Sequence, residues 1–233
     1  MGEPQQLGSL TWRQLNRIGP TLLVPLGSIE QHGPHLPLDT DIRIATAVAA
    51  AAADSLGALL APPLPYGASG EHQGFAGTIS IGTEALTVVL VEYGRSACEW
   101  AQRLVFVNGH GGNLDALRAA VGLLRTEGRD VAWWSCSIDG ADAHAGHTET
   151  SVLLHLCPDD VATGEIGPGN TEPLEEILGR LRDGGVSAVS ASGVLGDPTT
   201  ATADAGAQIF DDMVARCIAR IGRWQPGSGG ALT

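Results

Sequence analysis

Four short apolar runs punctuate the chain, each closed by glycine or polar residues: Thr21–Leu26 (TLLVPL), 58–61 (ALLA), 104–107 (LVFV) and Val131–Ser135 (VAWWS). Uninterrupted apolar runs of this length predict strands buried on both faces. Between them the period changes. Residues 41–56 are rich in alanine, the strongest helix former, with Thr40 as the expected N-cap. Residues 84–103, Leu114–Thr126, 148–156 and 201–223 carry apolar side chains at three- and four-residue spacing, the mark of helices packed through one face. Strands alternating with helices predict an α/β fold in three layers, with a mostly parallel sheet covered on both sides. Right-handed crossovers then collect the functional loops at the carboxyl ends of the strands.

Two turn-rich stretches, 164–173 (GEIGPGNTEP) and 193–200 (GVLGDPTT), are expected to rim a cleft. The end of the chain, 225–233 (QPGSGGALT), is expected to be a flexible tail. No repeat or composition break marks a second domain, so residues 1–224 are expected to form one domain, as a chain of 233 residues allows.

Charge narrows the class of partner. There are 13 basic residues against 26 acidic ones, a formal net charge of −13. A nucleic acid would be repelled over most of such a surface, and no basic block opposes this. The longest apolar stretch, 44–53, falls far short of the roughly 20 residues of a membrane span, and residues 1–20 contain no apolar leader core. The cysteines Cys98, Cys136, Cys157 and Cys217 form no C-x-x-C pair. Scattered thiols without a leader fit a reducing compartment, and a cytoplasmic location is expected.

The densest chemical signal is 26–41, LGSIEQHGPHLPLDTD. A strand ends near Gly27, and the chain then presents Glu30, His32, His35, Asp39 and Asp41. Glu30 and His32 are two apart, so in extended backbone both point to one side. Pro34 and Pro37 bar a helix and stiffen the loop. Carboxylates and an imidazole converging on one point suit zinc, iron(II) or manganese. Taken singly, Asp39 or Asp41 also suits a helix start, where its charge favours the dipole, and His35 suits a supporting loop position.

The second signal is 107–113, VNGHGGN, directly after a strand. It lacks the pattern and the lysine of a phosphate loop. Its glycines free the backbone to turn around His110, which favours a metal ligand there over a phosphate cradle. Asn108 and Asn113 are placed to pin the loop through side-chain hydrogen bonds. The third signal is 142–151, DAHAGHTETS, where His144 and His147 lead into a helix carrying Glu149. Thr148 and Glu149 are also suited to plain helix capping. In 66–77, YGASGEHQGFAG, Glu71 and His72 are expected to line the substrate cleft, as is His147. Glu30, Asp41 and Glu149 bring three negative charges against four positive from two divalent ions. A bridging hydroxide would make the cluster neutral and supply a nucleophile near pH 7.

These motifs, GSIEQHGPHLPLDTD at 27–41, NGHGGN at 108–113, HAGHTETS at 144–151 and YGASGEHQGFAGTISIG at 66–82, resemble those of the creatininase family. The resemblance spans roughly residues 20–200. It implies a three-layer α/β/α sandwich, two divalent ions per subunit (zinc or iron(II), with manganese as a further choice) and hydrolysis of unusual amide bonds. Carried over, the ligands are Glu30, His32, His110 and Asp41 as the bridge. In creatininase itself a ligand glutamate lies two residues past the histidine, where this chain has Gly112, so Glu149 is assigned as fifth ligand. His144 matches the family's catalytic histidine. The glutamate preceding it in creatininase is Ala143 here, which speaks against creatinine as substrate. The likeness is strongest to a peptidase branch with HAGHTETS, DVAWW, PGNT and GVLGDPT. That branch implies cleavage of a modified ribosomal precursor peptide, releasing a C-terminal, decarboxylated and crosslinked Val-Tyr product. Family members form closed rings, so a homo-oligomer is expected.

Overall fold

The computed structural model of the chain describes residues 5–15 and 19–233. The start of the expected domain, 1–4, lies outside the described residues, as do 16–18. Strands β1 (Gln5–Gln6), β2 (Thr21–Leu26), β3 (Leu59–Leu60), β4 (Arg103–Asn108) and β5 (Val131–Ser135) form one sheet in the order β1-β3-β2-β4-β5. Every pairing is parallel. The helices are α1 (Trp12–Leu15), α2 (Thr40–Leu56), α3 (Thr83–Ala97), α4 (Leu114–Thr126), α5 (His147–Leu156), α6 (Leu174–Gly184) and α7 (Ala203–Arg223).

Strand alternation sorts the core into two layers. Leu23, Val105, Val107, Ala132 and Trp134 face one side and pack with Val48, Ala52, Val152, Met213 and Ile221 from α2, α5 and α7. Leu22, Val24, Leu104, Phe106 and Trp133 face the other and pack with Leu86, Leu90, Leu117 and Leu124 from α3 and α4. This is the three-layer α/β/α sandwich that the pattern predicts. A proline inside the central strand β2 is tolerated for a local reason. The Pro25 carbonyl accepts from the Leu64 amide beyond the end of two-residue β3, so no neighbouring strand needs the missing N–H.

Several boundaries differ from the sequence reading. Thr40 is the first residue of α2 rather than its cap, and its hydroxyl donates to the Pro37 carbonyl at 2.7 Å. The helix expected over 84–103 stops at Ala97, because Arg103 is already paired with Thr21 in the sheet. Helix α6 lies in a stretch with no assigned element.

The end of the chain departs most from expectation. Residues 225–233 are folded, not a flexible tail: the Trp133 indole donates to the Gly229 carbonyl at 2.8 Å, and Leu232 is buried against the core. Trp133 also exchanges backbone hydrogen bonds with Gly230 and Leu232. Composition alone misses this, because the anchoring partner is about a hundred residues away in sequence. Removing 226–233 is expected to destabilise the protein by roughly 2–4 kcal/mol, from one buried leucine and the lost hydrogen bonds. Chemical denaturation of the truncated chain checks this, and an unchanged midpoint would contradict the packing.

Candidate metal centre

The sheet winds outward in both directions from β2, so the loops after β2 and β4 meet at a topological switch point, where α/β folds place their ligands. The loop after β2 carries Glu30 and His32 and ends at Asp41 in the first turn of α2. The loop after β4 carries His110. Asn113 ties the loops together: its Nδ2 donates to the Gly27 carbonyl and to Asn108 Oδ1, both at 3.0 Å, while its Oδ1 accepts from the Ala68 amide at 2.9 Å. Asn108 in turn donates to the His110 carbonyl at 2.7 Å. Both asparagines thus pin the loop as their positions suggest.

Three loops therefore converge. His110 Nδ1 lies 3.2 Å from Glu30 Oε2 and 3.3 Å from Asp41 Oδ2. On the other side of Asp41, His32 Nε2 is 3.2 Å from Oδ1 and 4.0 Å from Glu149 Oε2. Asp41 thus turns one oxygen to each histidine. Glu30, Asp41 and His110 form one group with ligand atoms within 4.8 Å of one another, and His32, His144 and Glu149 form a second. Glu30, His72 and His144 make a third such set.

The ring nitrogens are set by what lies behind them. His32 Nδ1 donates to the Glu30 carbonyl at 3.1 Å, and His110 Nε2 donates to the Ala68 carbonyl at 3.2 Å. In their neutral forms both rings therefore turn a lone pair toward the carboxylates, as metal-bound histidines do. The carboxylates fit a cation better than a proton. Both Glu30 oxygens and Asp41 Oδ2 are buried and make no hydrogen bond, despite the nearby imidazoles. Buried carboxylate oxygens without donors call for a positive charge at their focus.

Electrostatics repeat the point for the metal-free chain. Burial alone would depress the His32 pKa, but Asp41, Glu149 and Glu30 lift it to about 10. His110 is likewise raised well above its ordinary value, burial being overcome by Glu30 and Asp41. Burial would raise Asp41, yet His32 and His110 hold it well below the usual carboxylate range. Burial and the charges of Asp41 and Glu30 push Glu149 up to about 7, against the pull of His32. Protons on imidazoles thus stand in for the charge that the carboxylates demand.

The remaining candidates separate. His144 and His72 sit beside the cluster, their rings 4.4 Å apart centre to centre, with His72 Nε2 3.3 Å from Glu30 Oε1. Both line a cleft of about 960 Å³, together with Asp41, Glu71, His110 and Glu149. Glu71 reaches His110 Nε2 at 3.5 Å. A side chain at Gly112 would meet the Ala68 carbonyl, His110 Nε2 and Glu71 Oε1 within 2.7 Å, so a carboxylate at that position has no room. His147, expected to line the cleft, lies outside it. Its Nδ1 pairs with the Thr200 hydroxyl at 2.9 Å, because α5 begins there and turns it outward. His35 supports the site by a 2.8 Å contact with Thr150, and Asp39 accepts from Arg43 at 2.7 Å. Glu149 also accepts from the Ala145 amide at 2.6 Å, so part of its role is capping, shared with Asp142, which accepts from Thr148.

Two features escaped the sequence reading. Helix α6 supplies Leu174, Leu178 and Leu181 to the outer wall of the cleft. The spacing of those leucines was the available signal. Gln31 is buried among the histidines, and nothing in its type marks it. Of the two turn-rich stretches, 193–200 contributes Leu195 to the cleft, while 164–173 braces it from behind through Gly169 and Asn170. Among the described residues no helix is long and apolar enough to cross a membrane.

The chain is similar to known proteins along nearly its whole length. The family model described as creatininase, creatinine amidohydrolase, matches residues 8–221. The chain is 62% identical over 236 residues to the mycofactocin precursor peptide peptidase of Mycolicibacterium smegmatis, covering 99% of this chain and 96% of that one. Its fold is similar to that of a mutant creatininase of Zn-Zn type, with TM-score 0.80, 27% identity and coverage of 95% and 98%. It is equally similar to a structure named creatininase Mn, with TM-score 0.80, 27% identity and coverage of 96% and 100%. With a family match over residues 8–221 and the same fold in solved creatininases, the chain belongs to the creatininase family.

Proposed function

We propose that the chain is a metal-dependent peptidase that cleaves the modified mycofactocin precursor peptide, releasing its C-terminal crosslinked Val-Tyr-derived product. The observation that carries this reading is the identity of 62% along 99% of the chain to a peptidase of that name. The cleft supports it: about 960 Å³, with an apolar wall from α6 on one side and the carboxylate–imidazole cluster on the other, suits a peptide segment. In this reading Glu30 and His110 would hold one divalent ion and His32 and Glu149 the other, with Asp41 shared between the two groups. Two zinc or iron(II) ions there, with manganese as a further choice, would supply Lewis acidity toward the scissile carbonyl and a bound water acidic enough to attack near pH 7. His144 moves the proton to the leaving amine through Nδ1, its nitrogen on the cluster side. The cleft walls would orient the amide. The homo-oligomer expected of the family belongs to the same reading.

The test incubates the protein with the modified precursor peptide, with creatinine and with a formamidopyrimidine, and follows product mass. Release of the C-terminal fragment supports the proposal. Turnover of only the small amides would favour the second reading, an amidase for a small cyclic or formyl amide.

The pKa pattern gives a further expected result. Cations need neutral imidazoles and an ionised Glu149. The surrounding carboxylates hold protons on the His32 and His110 rings well above the ordinary imidazole range, so loading is expected to release protons from these side chains. At pH 6, below the Glu149 value of about 7, that carboxyl is protonated as well, and release rises by about one proton relative to pH 8. Affinity accordingly strengthens as pH rises from 6 to 8. Calorimetry in buffers of different ionisation heat measures the release, and pH-independent loading would contradict the assigned ligands.

A further inference from the structure

Gln31 lies between two of the proposed ligands, yet its side chain turns away from them. It is buried, and every polar atom it owns on the side chain is used. Nε2 donates to the Gly193 carbonyl at 3.0 Å and has His72 Nδ1 at 2.9 Å. Oε1 accepts from the Gly33 amide at 2.8 Å. These contacts settle which way the amide points. Reversed, its oxygen would face the Gly193 carbonyl and its NH2 would face the Gly33 N–H, losing both bonds. Gly193 is in the left-handed region at φ +83°, and a Cβ there would stand 1.9 Å from Gln31 Oε1. The seat for this amide thus depends on a glycine from a different loop.

The two histidines follow from the same residue. The second amide proton goes to His72 Nδ1, which must accept, so the proton of neutral His72 sits on Nε2, 3.3 Å from Glu30 Oε1. His144 Nε2 lies 2.7 Å from the main-chain carbonyl of Gln31, which can only accept. His144 therefore carries its proton on Nε2 and keeps Nδ1 free, 3.7 Å from Glu30 Oε1. The 3.1 Å approach of His144 Nε2 to Gln31 Nε2 then sets two donors side by side, each with its protons directed elsewhere.

We infer that Gln31 is a positioning residue that fixes the tautomers of His72 and His144, by its side-chain amide for the first and its main-chain carbonyl for the second. The consequence is functional, and it rests on the reading given above for His144. Nδ1 of that ring is left able to take up and hand on a proton on the cluster side, while His72 keeps its proton on Nε2, near the Glu30 carboxylate but not hydrogen-bonded to it. Partners of this kind orient a site without touching substrate, and their loss typically costs about 10–100-fold.

The test is imidazole nitrogen NMR of the zinc-loaded full chain with 15N-labelled histidine, the two rings being assigned through single substitutions. In the wild type both rings are expected to carry their proton on Nε2. Gln31→Glu keeps the shape and turns the donor facing His72 into an acceptor. His72 is then expected to move its proton to Nδ1, while His144 keeps its own. Peptide cleavage by Gln31→Glu is expected to fall about 10–100-fold in kcat with little change in KM. A wild-type proton on Nδ1 of either ring overturns the inference, as does an unmoved proton on His72 in Gln31→Glu or an effect confined to KM. Should that variant not fold, the wild-type spectrum decides alone. A chain with these tautomers that leaves the peptide uncut would defeat the proposed function and not this inference.

Discussion

Asp41→Asn is expected to strip both cations and to lower amide hydrolysis by about 10⁴-fold or more, the scale of losing metal activation of water and carbonyl together. The substitution is nearly isosteric, and the residue is buried in the first turn of α2, so the fold should survive. Its leverage comes from position. Asp41 meets both histidines proposed as ligands, through Oδ1 toward His32 and Oδ2 toward His110. An amide keeps one acceptor, replaces the other with a donor and removes the negative charge, so neither group of ligands stays complete. Circular dichroism with metal analysis and peptide turnover checks the three parts separately. A folded Asn variant that retains its ions and its rate would remove Asp41 from the centre of the account.

His144→Ala is expected to behave in the opposite way toward metal. The rate should drop by about 10²–10⁴-fold, the usual range for a lost general acid, with bound metal unchanged. Burial, with His32 and His72 close by, holds the His144 pKa well below its ordinary value, so the free ring is neutral at pH 7. In the proposed reaction it would therefore take up a proton before passing one to the leaving amine, acting first as base and then as acid. His110→Ala makes the contrast, since its ring faces Glu30 and Asp41 directly and its loss should lower metal content. If His144→Ala lost its metal instead, the ring would be a ligand, and the group of His32, His144 and Glu149 would have to be read so.

The parts legible in the sequence share a cause. Buried parallel strands leave unbroken apolar runs, and TLLVPL and VAWWS form strands at those same residues. Glu30 and His32 could be paired because alternation in extended chain is a local property, and His110 because glycines on both sides isolate it. What was hidden depends on contacts distant in sequence. The folded end of the chain needs Trp133, and the outward turn of His147 needs the register of α5 against Thr200. Gln31 is an uncharged residue whose meaning appears only when His72, His144 and Gly193 arrive from three other loops. Helix α6 is a different case. Its leucines are spaced for a helix, but glycine- and proline-rich flanks masked a short amphipathic segment whose apolar side faces the cleft.

We propose that buried Glu30 and Asp41 and half-buried Glu149, with His32 and His110, hold a pair of divalent cations. Elemental analysis of the protein purified without oxygen or chelator tests this most directly. The account predicts about two divalent ions per chain, zinc or iron with manganese as a further choice, lost together in Asp41→Asn. A folded, peptide-cleaving protein with no more than trace metal would contradict it.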